Sequence, residues 1–231
     1  MKPLLQHTML HGSLLRLMHL VSPALPIGAY AFSQAMESAV AHGHVCDEST
    51  AGDWVRGVIS HGSAYLDVPV ALRLYNAWQA DDLDAVAYWN SYLFASRESA
   101  ELQMEDQHLG RALARLLETL GVQGMNEWRR RDGVCFATLF TAAANTWHIP
   151  VEATLHGLLW TWLENQVAAA TRLVPLGQSS AQRIIATSIE HIELAVTIGA
   201  ELIDDDIGAA LPAWVALSVR HEEQYSRLFQ S

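Results

Sequence analysis

Side chains that could bind a metal occur at helical spacing in the middle of the chain. Glu105 and His108 form an E-x-x-H pair, which places a carboxylate and an imidazole on the same face of a helix. A di-iron carboxylate centre in a helical bundle needs two such pairs on different helices, and the sequence contains one. We therefore interpret residues 105–108 as a solvated helix face. An all-α metal-binding enzyme that uses helix-borne Glu and His ligands is the alternative function.

A second group of ligand-type side chains, His42, His44 and Cys46, alternates along five residues. Imidazole and thiolate ligands suit borderline metals such as nickel or zinc. A tight site would require a fourth ligand, which the sequence does not identify, and a polar loop after a helix end is the competing interpretation. These three residues are metal candidates, and no firm metal site is predicted.

The sequence contains no GxxxxGK[ST], HExxH, GxSxG or GxGxxG motif. No motif therefore supports an interpretation of the chain as a nucleotide hydrolase, a zincin, an α/β-hydrolase or a dinucleotide-binding enzyme. We predict no catalytic residues.

The composition describes a folded domain that interacts with other proteins. Of the 231 residues, 51% are hydrophobic and 17% are charged, which excludes a disordered acidic chain and indicates that a partner covers some apolar surface. The net charge of −11 argues against nucleic acid or an anionic membrane as a partner. Two cysteines without a CxxC motif suggest a reducing cytoplasm, and we identify no signal peptide or membrane span.

The hydrophobic pattern predicts an all-α fold, because no stretch alternates with period two between turn signals. We expect a single helical domain of about ten helices. The expected helices cover residues 8–21, 29–43, 50–59, 68–78, 81–93, 97–120, 132–147, 150–174, 179–203 and 212–227. Capping boxes are expected at Thr50–Asp53 and Ser179–Gln182. Arg97, Glu98 and Glu101 are interpreted as i,i+4 surface pairs.

Two features are not explained by helix formation alone. Residues 164–166 (Glu-Asn-Gln) interrupt an otherwise apolar helix, so at least one of them should point toward an apolar neighbourhood or an interface. The C-terminal sequence ends in Arg-Leu-Phe at residues 227–229, and arginine and aromatic residues are favoured at interfaces. A docking tail and a folded-back tail are both open interpretations.

Four blocks of the chain, taken in order, resemble the UreF family of urease accessory proteins. They are SPALPIGAYAFSQAME (22–37), RESAELQMEDQHLGRALARLL (97–117), LLWTWLENQVAAATRLVPLGQ (158–178) and DDDIGAALPAWVALSVRHEEQYSRLFQS (204–231). The chain departs from the family where Tyr-Ala-Phe replaces the frequent Phe-Ser-Tyr at 30–32, where Ser-Ser-Ala replaces Thr-Asp-Gly at 179–181, and where Gln230 replaces Arg.

The resemblance implies an all-α, dimer-forming protein without catalytic activity. It implies assembly with UreD (also called UreH) and the GTPase UreG on apo-urease, in support of GTP-dependent nickel delivery, with no cofactor held stably and nickel bound at most in transit. It divides the chain into a UreF-like domain, 1–225, and a C-terminal docking tail, 226–231.

The resemblance also assigns residues to partners. Those expected to dock on UreD/UreH are His221, Glu222, Gln224, Tyr225, Ser226, Arg227, Leu228, Phe229 and Ser231. Those expected to face a partner or line a nickel passage are Pro26, Gly28, Tyr30, Ser33, Gln34, Glu37, Glu164, Asn165 and Gln178.

Overall fold

The computed structural model describes residues 8–208 and 210–230, with side chains from residue 12 onward. Within these ranges the chain forms eleven α-helices and no strand, which confirms the all-α prediction. The helices are α1 Thr8–Leu20, α2 Met36–Ala41, α3 Glu48–Val58, α4 Asp67–Gln79, α5 Leu83–Ala95, α6 Ala100–Thr119, α7 Met125–Arg130, α8 Phe136–Thr146, α9 Val151–Leu173, α10 Gln178–Glu201 and α11 Pro212–Glu222.

The helices enclose one continuous hydrophobic core. Helix α4 packs against α5, α8 and α10, and α9 packs against α8 and α10. Gly199 allows α10 to approach α4, since a Cβ atom at this position would lie 2.6 Å from Cγ1 of Val68 in α4 and 2.7 Å from the backbone oxygen of Ala64, just before α4. A larger side chain there would push the two helices apart.

Two predicted helix starts differ in the structure. Helix α3 begins at Glu48, two residues earlier than expected, because Asp47 is the N-cap and Thr50 is its capping-box partner. The predicted Thr50–Asp53 capping box is therefore wrong. The predicted break at residues 175–177 is present, but α10 begins at Gln178 after Gly177 and has no side-chain cap. The Ser179–Gln182 capping box is therefore wrong, since Ser179 already lies inside the first turn and is not at the N-cap position.

The predicted helix over 29–43 is wrong in its first half. Residues Ala29–Ala31 form a single 3₁₀ turn, and Gln34 and Ala35 adopt positive φ angles of 50° and 68° before α2 begins. Left-handed backbone angles interrupt an α-helix. Helix α7 was not predicted; it follows Gly124, whose φ of +77° turns the chain, and buries Met125 and Trp128.

No helix in the described part of the chain combines the length and the apolar character needed to cross a membrane.

Candidate partner-binding site

Gln34 connects the loop before α2 to three helices. Its Nε2 donates to Glu105 Oε1 of α6 at 2.8 Å, and its Oε1 accepts a hydrogen bond from Trp162 Nε1 of α9 at 2.6 Å. Its backbone oxygen accepts from Trp214 Nε1 of α11 at 2.9 Å. A positive φ at a non-glycine residue is costly and persists where the surrounding structure determines it, and these three bonds provide that constraint.

Helix α9 also holds the loop through its polar residues. Asn165 Nδ2 donates to the backbone oxygen of Phe32 at 3.2 Å, and Arg172 donates to that of Tyr30 at 3.1 Å. Two of the three residues that interrupt the apolar pattern of α9 are therefore placed by the fold. Asn165 anchors the loop, and Gln166 is fully buried.

The buried side chain of Gln166 confirms the expectation that one residue of 164–166 points inward. Its amide oxygen and nitrogen have no hydrogen-bond partner among the described residues. Glu164, two positions earlier, is half-buried, and this burial raises the pKa of its carboxyl group, while a hydrogen bond from Trp160 acts in the opposite direction. Relative to the unfolded chain, the fold thereby shifts Glu164 toward its neutral form.

The carboxylate of Glu37 anchors the C-terminal segment. Its oxygens accept the backbone N–H groups of Leu228 at 2.7 Å and Phe229 at 2.9 Å. The same carboxylate lies 3.2 Å from Nε2 of His221. Glu37 is buried, and its carboxylate joins α2 to α11 and the C-terminal segment. We call this arrangement the clamp at Glu37.

His221 lies between two acidic side chains in the interior. Its Nδ1 is 2.8 Å from Glu101 Oε2, and Arg227 Nη1 donates to the other Glu101 oxygen at 2.9 Å. Burial raises the pKa of Glu101, and His221 and Arg227 lower it in part. The predicted surface pairing of Arg97, Glu98 and Glu101 is therefore wrong, since Glu101 is buried and its partners come from the C-terminal region.

The C-terminal segment folds back onto the domain and presents one side to solvent. Phe229 is buried, and the Arg172 guanidinium lies over its ring, 4.5 Å from the ring centroid. The N–H of Gln230 donates to the backbone oxygen of Ala31 at 2.8 Å. On the outer side, Tyr225 is fully exposed and Leu228 is 54% exposed. The segment thus has an inward anchor and an outward apolar face.

A buried ion-pair cluster lies next to this region. Arg97 donates to Asp67 at 2.7 Å and to Asp106 at 2.8 Å, and Asp106 also accepts the N–H of Phe136 at 2.6 Å. Burial and the nearby Asp106 raise the pKa of the Cys135 thiol, which keeps it protonated.

The interpretation of residues 105–108 as a solvated face is wrong for two of them. Glu105 is 2% exposed and Asp106 is 6% exposed. Both positions lie on the same side of α6 as Leu102 and Leu109, one turn away in either direction, so the helix turns them inward. This spacing was visible in the sequence and is the signal that could have placed the two acids in the interior.

A cavity of about 120 Å³ lies between the loop and α6, α9 and α11. Its walls are largely apolar, with a polar side formed by acids, amides and one arginine. The polar residues that line it include Gln34, Asp67, Arg97, Glu105, Asp106 and Asn165.

The metal candidates are not brought together. His108 is exposed, and its ring lies tilted against that of Phe32 with 5.4 Å between the ring centroids, while Glu105 accepts a hydrogen bond from Gln34. His42, His44 and Cys46 lie on the surface after α2, where His42 Nδ1 is 2.8 Å from the Ser38 oxygen. Among the described side chains, no three His, Cys, Asp or Glu residues form a metal-binding group.

The other predicted site residues occupy varied environments. Pro26, Tyr30 and Gln178 are exposed, Gly28 has a φ of +80°, and Ser33 is buried. Glu222 accepts the N–H of Ala100 at 3.1 Å, and Gln224 donates to the oxygen of Ser226 at 2.8 Å. Ser231 lies outside the described residues.

The geometry defines an all-helical protein in which a loop, a central helix and a folded-back C-terminal segment form one surface. The UreF family model matches residues 45–188. The urease accessory protein UreF of Teredinibacter turnerae is 47% identical over 96% of this chain and its own full length, and that of Hahella chejuensis is 44% identical over 95% of this chain and 98% of its own. UreF of Chromohalobacter salexigens is 42% identical over the whole of this chain and 99% of its own. The chain belongs to the UreF family.

Proposed function

We propose that this protein is a urease maturation factor that acts as a non-catalytic adaptor. In this proposal it assembles as a homodimer with UreD/UreH and the GTPase UreG on apo-urease in the cytoplasm. Membership of the UreF family, whose relatives are named urease accessory proteins, supports the maturation role. The two cysteines, Cys46 and Cys135, are free thiols in the structure, which accords with a reducing compartment.

The observation that carries the docking part is the two-sided C-terminal segment. Its inner side is fixed by Glu37 and Arg172, so the segment loses little conformational entropy when a partner binds. Its outer side offers Tyr225 and Leu228, an aromatic and an aliphatic group of the kind that anchor interfaces. We assign this outer side to UreD/UreH.

The loop and α9 suit the second partner. Tyr30 is 72% exposed on a loop whose backbone is held by Arg172, and Glu164 lies half-buried on α9. A rigid loop with an exposed aromatic residue presents its contact group in a fixed position. We assign this surface to UreG, with Pro26, Gly28 and Gln178 at its edges.

Nickel enters the proposal as cargo. Gln34 and Asn165, both expected at a nickel passage, line the cavity together with Asp67, Glu105 and Asp106. Oxygen ligands that do not complete the coordination of a divalent ion would bind it weakly, so the ion could enter the cavity and be released. Ser33 and Glu37 are absent from this lining, so the passage role is proposed for Gln34 and Asn165.

Co-expression tests the proposal. The tagged chain is produced with UreD/UreH and UreG, purified by affinity and size exclusion, and its mass is measured by light scattering. A complex containing all three proteins is expected, with two copies of this chain. Elution of the chain alone, while the two partners are soluble, would contradict the adaptor role.

A further inference from the structure

An arginine-rich surface lies at the far end of α6 from the C-terminal segment. Residues 111–132 contain five of the chain's 14 Lys and Arg residues, together with three acids, Glu118, Glu127 and Asp132. Their local net charge is 5 − 3 = +2, so the remainder of the chain carries −11 − 2 = −13. A local reversal of sign on a strongly acidic protein is an electrostatic feature that folding does not require.

The structure gathers these arginines on two packed helices, α6 and α7. Arg111 and Arg115 are one turn apart on α6, and Arg129, Arg130 and Arg131 end α7. We call the surface formed by these five residues the arginine patch.

Several contacts hold the patch in shape. Arg111 pairs with Asp132 at 2.9 Å, and Arg129 lies 3.7 Å from Glu118. The guanidinium of Arg131 lies 4.1 Å from the ring centroid of Trp128, which is itself buried. Stacking on an aromatic ring orients a guanidinium and leaves its N–H groups available to an acceptor.

Three members of the patch have no acidic partner among the described side chains. Arg115, Arg130 and Arg131 are exposed, and none of them forms an ion pair with any described residue. Most other arginines of the structure, including Arg56, Arg73, Arg97 and Arg183, do form ion pairs. The patch therefore carries guanidinium donors that are open to a carboxylate, and the guanidinium of Arg131 is also oriented by Trp128.

We propose that the arginine patch is a docking surface for an acidic segment of a partner protein. Arginine binds carboxylates through paired N–H donors, and the positive sign attracts an acidic segment that the rest of this surface repels. About 14 residues of α6 separate Arg115 from Glu101, roughly 21 Å at 1.5 Å per residue. The patch is thus separate from the surface assigned to UreD/UreH, and it is independent of that assignment.

The test uses a fluorescein-labelled decaglutamate peptide and fluorescence anisotropy with the full chain. The double variant Arg115→Glu/Arg130→Glu is compared with Arg16→Glu/Arg220→Glu, which changes the net charge equally at exposed positions elsewhere. We expect salt-sensitive binding to the native chain, a loss of about tenfold or more in the patch variant because attraction becomes like-charge repulsion, and a change within about twofold in the control. The affinity of the neutral variant Arg115→Gln/Arg130→Gln for the peptide should lie between those of the native chain and the patch variant. Circular dichroism melting checks that each variant folds.

Three results would overturn the proposal. They are absence of binding to the native chain, equal losses in the patch variant and the matched control, and binding that does not weaken with salt. Sedimentation of the native chain tests a different occupant: a concentration-dependent dimer that the patch variant abolishes would show that the acidic surface of a second copy occupies the patch, and would overturn the assignment to another protein.

Discussion

The carboxylate of Glu37 accepts the backbone N–H of Phe229 at 2.9 Å, although 192 positions separate the two residues. Backbone amides are unaffected by the side chain they belong to, so this contact fixes the path of the C-terminal segment and leaves its outer side chains free to vary. The same carboxylate reaches His221, which connects the path of the segment to the interior of the domain. The C-terminal segment is in this way part of the folded domain.

Phe229 and Leu228 should separate folding from docking. Phe229→Ala removes a buried aromatic group, a change that commonly costs about 3–5 kcal/mol, and we expect it to detach the segment and speed amide exchange at residues 228–230. Leu228→Ala is the matched control: its side chain is 54% exposed, so the free energy of unfolding should stay within about 0.5 kcal/mol while UreD/UreH binding weakens. Hydrogen exchange and a pull-down measure the two effects; slow exchange in Phe229→Ala would contradict the anchor.

Gln34→Leu should destabilise the loop through lost hydrogen bonds. The variant removes the hydrogen bonds that join Gln34 to Glu105 and to Trp162, and each lost hydrogen bond costs about 0.5–1.5 kcal/mol. Gln34→Glu is the informative control, because it keeps the acceptor for Trp162 but places a second carboxylate beside Glu105. Its stability should recover as pH falls and the pair gains a proton. Urea unfolding at two pH values tests this, and identical pH profiles for both variants would refute it.

Arg97→Met should be among the most damaging single changes in the chain. It leaves Asp67 and Asp106 facing the interior without a cation, and breaking a buried ion pair costs about 3–5 kcal/mol. Arg56→Met removes a comparable arginine whose partner, Asp53, is 71% exposed, and should cost about 0–1 kcal/mol. The two urea midpoints are compared directly, and equal midpoints would show that the buried cluster contributes no more than a surface pair.

The sequence predicted ten of the eleven described helices in their order, all except α7, because the 3.6-residue period depends only on which positions are apolar. It placed Glu105, Asp106 and Glu101 wrongly, because acidic residues were assumed to face solvent. Two of them also have distant partners: Gln34 is 71 positions from Glu105, and His221 is 120 from Glu101. No local pattern encodes such pairs. The same reason explains the clamp at Glu37, whose partners lie at the opposite end of the chain.

The stability contribution of Glu164 should depend on pH with a definite sign. Burial raises the pKa of this carboxyl group above its unfolded value, so its stabilising contribution is present below the unfolded pKa of about 4.3 and is lost as pH rises through the folded pKa. Glu164→Gln should therefore gain stability relative to the native protein between pH 4 and pH 7. Thermal melts across this range measure the difference, and a variant that loses about 1 kcal/mol at pH 7, the usual contribution of a hydrogen bond, would show that the ionised form is needed for folding. A second variant, Glu164→Ala, should weaken the recruitment of UreG. The free energy lost in UreG binding should exceed the loss in the free energy of unfolding.

Removal of residues 226–231 is the sharpest test of the docking role of the C-terminal segment, because it takes away Leu228 of the outward face together with the Phe229 anchor. The truncated chain and the native chain are each co-expressed with UreD/UreH, and the amount of complex is measured by size exclusion with circular dichroism as a check on folding. We expect helicity to be nearly unchanged, since α11 ends at Glu222, and the complex with UreD/UreH to be lost. A truncated chain that keeps its helicity and still forms the complex in native amounts would contradict the docking role of the C-terminal segment.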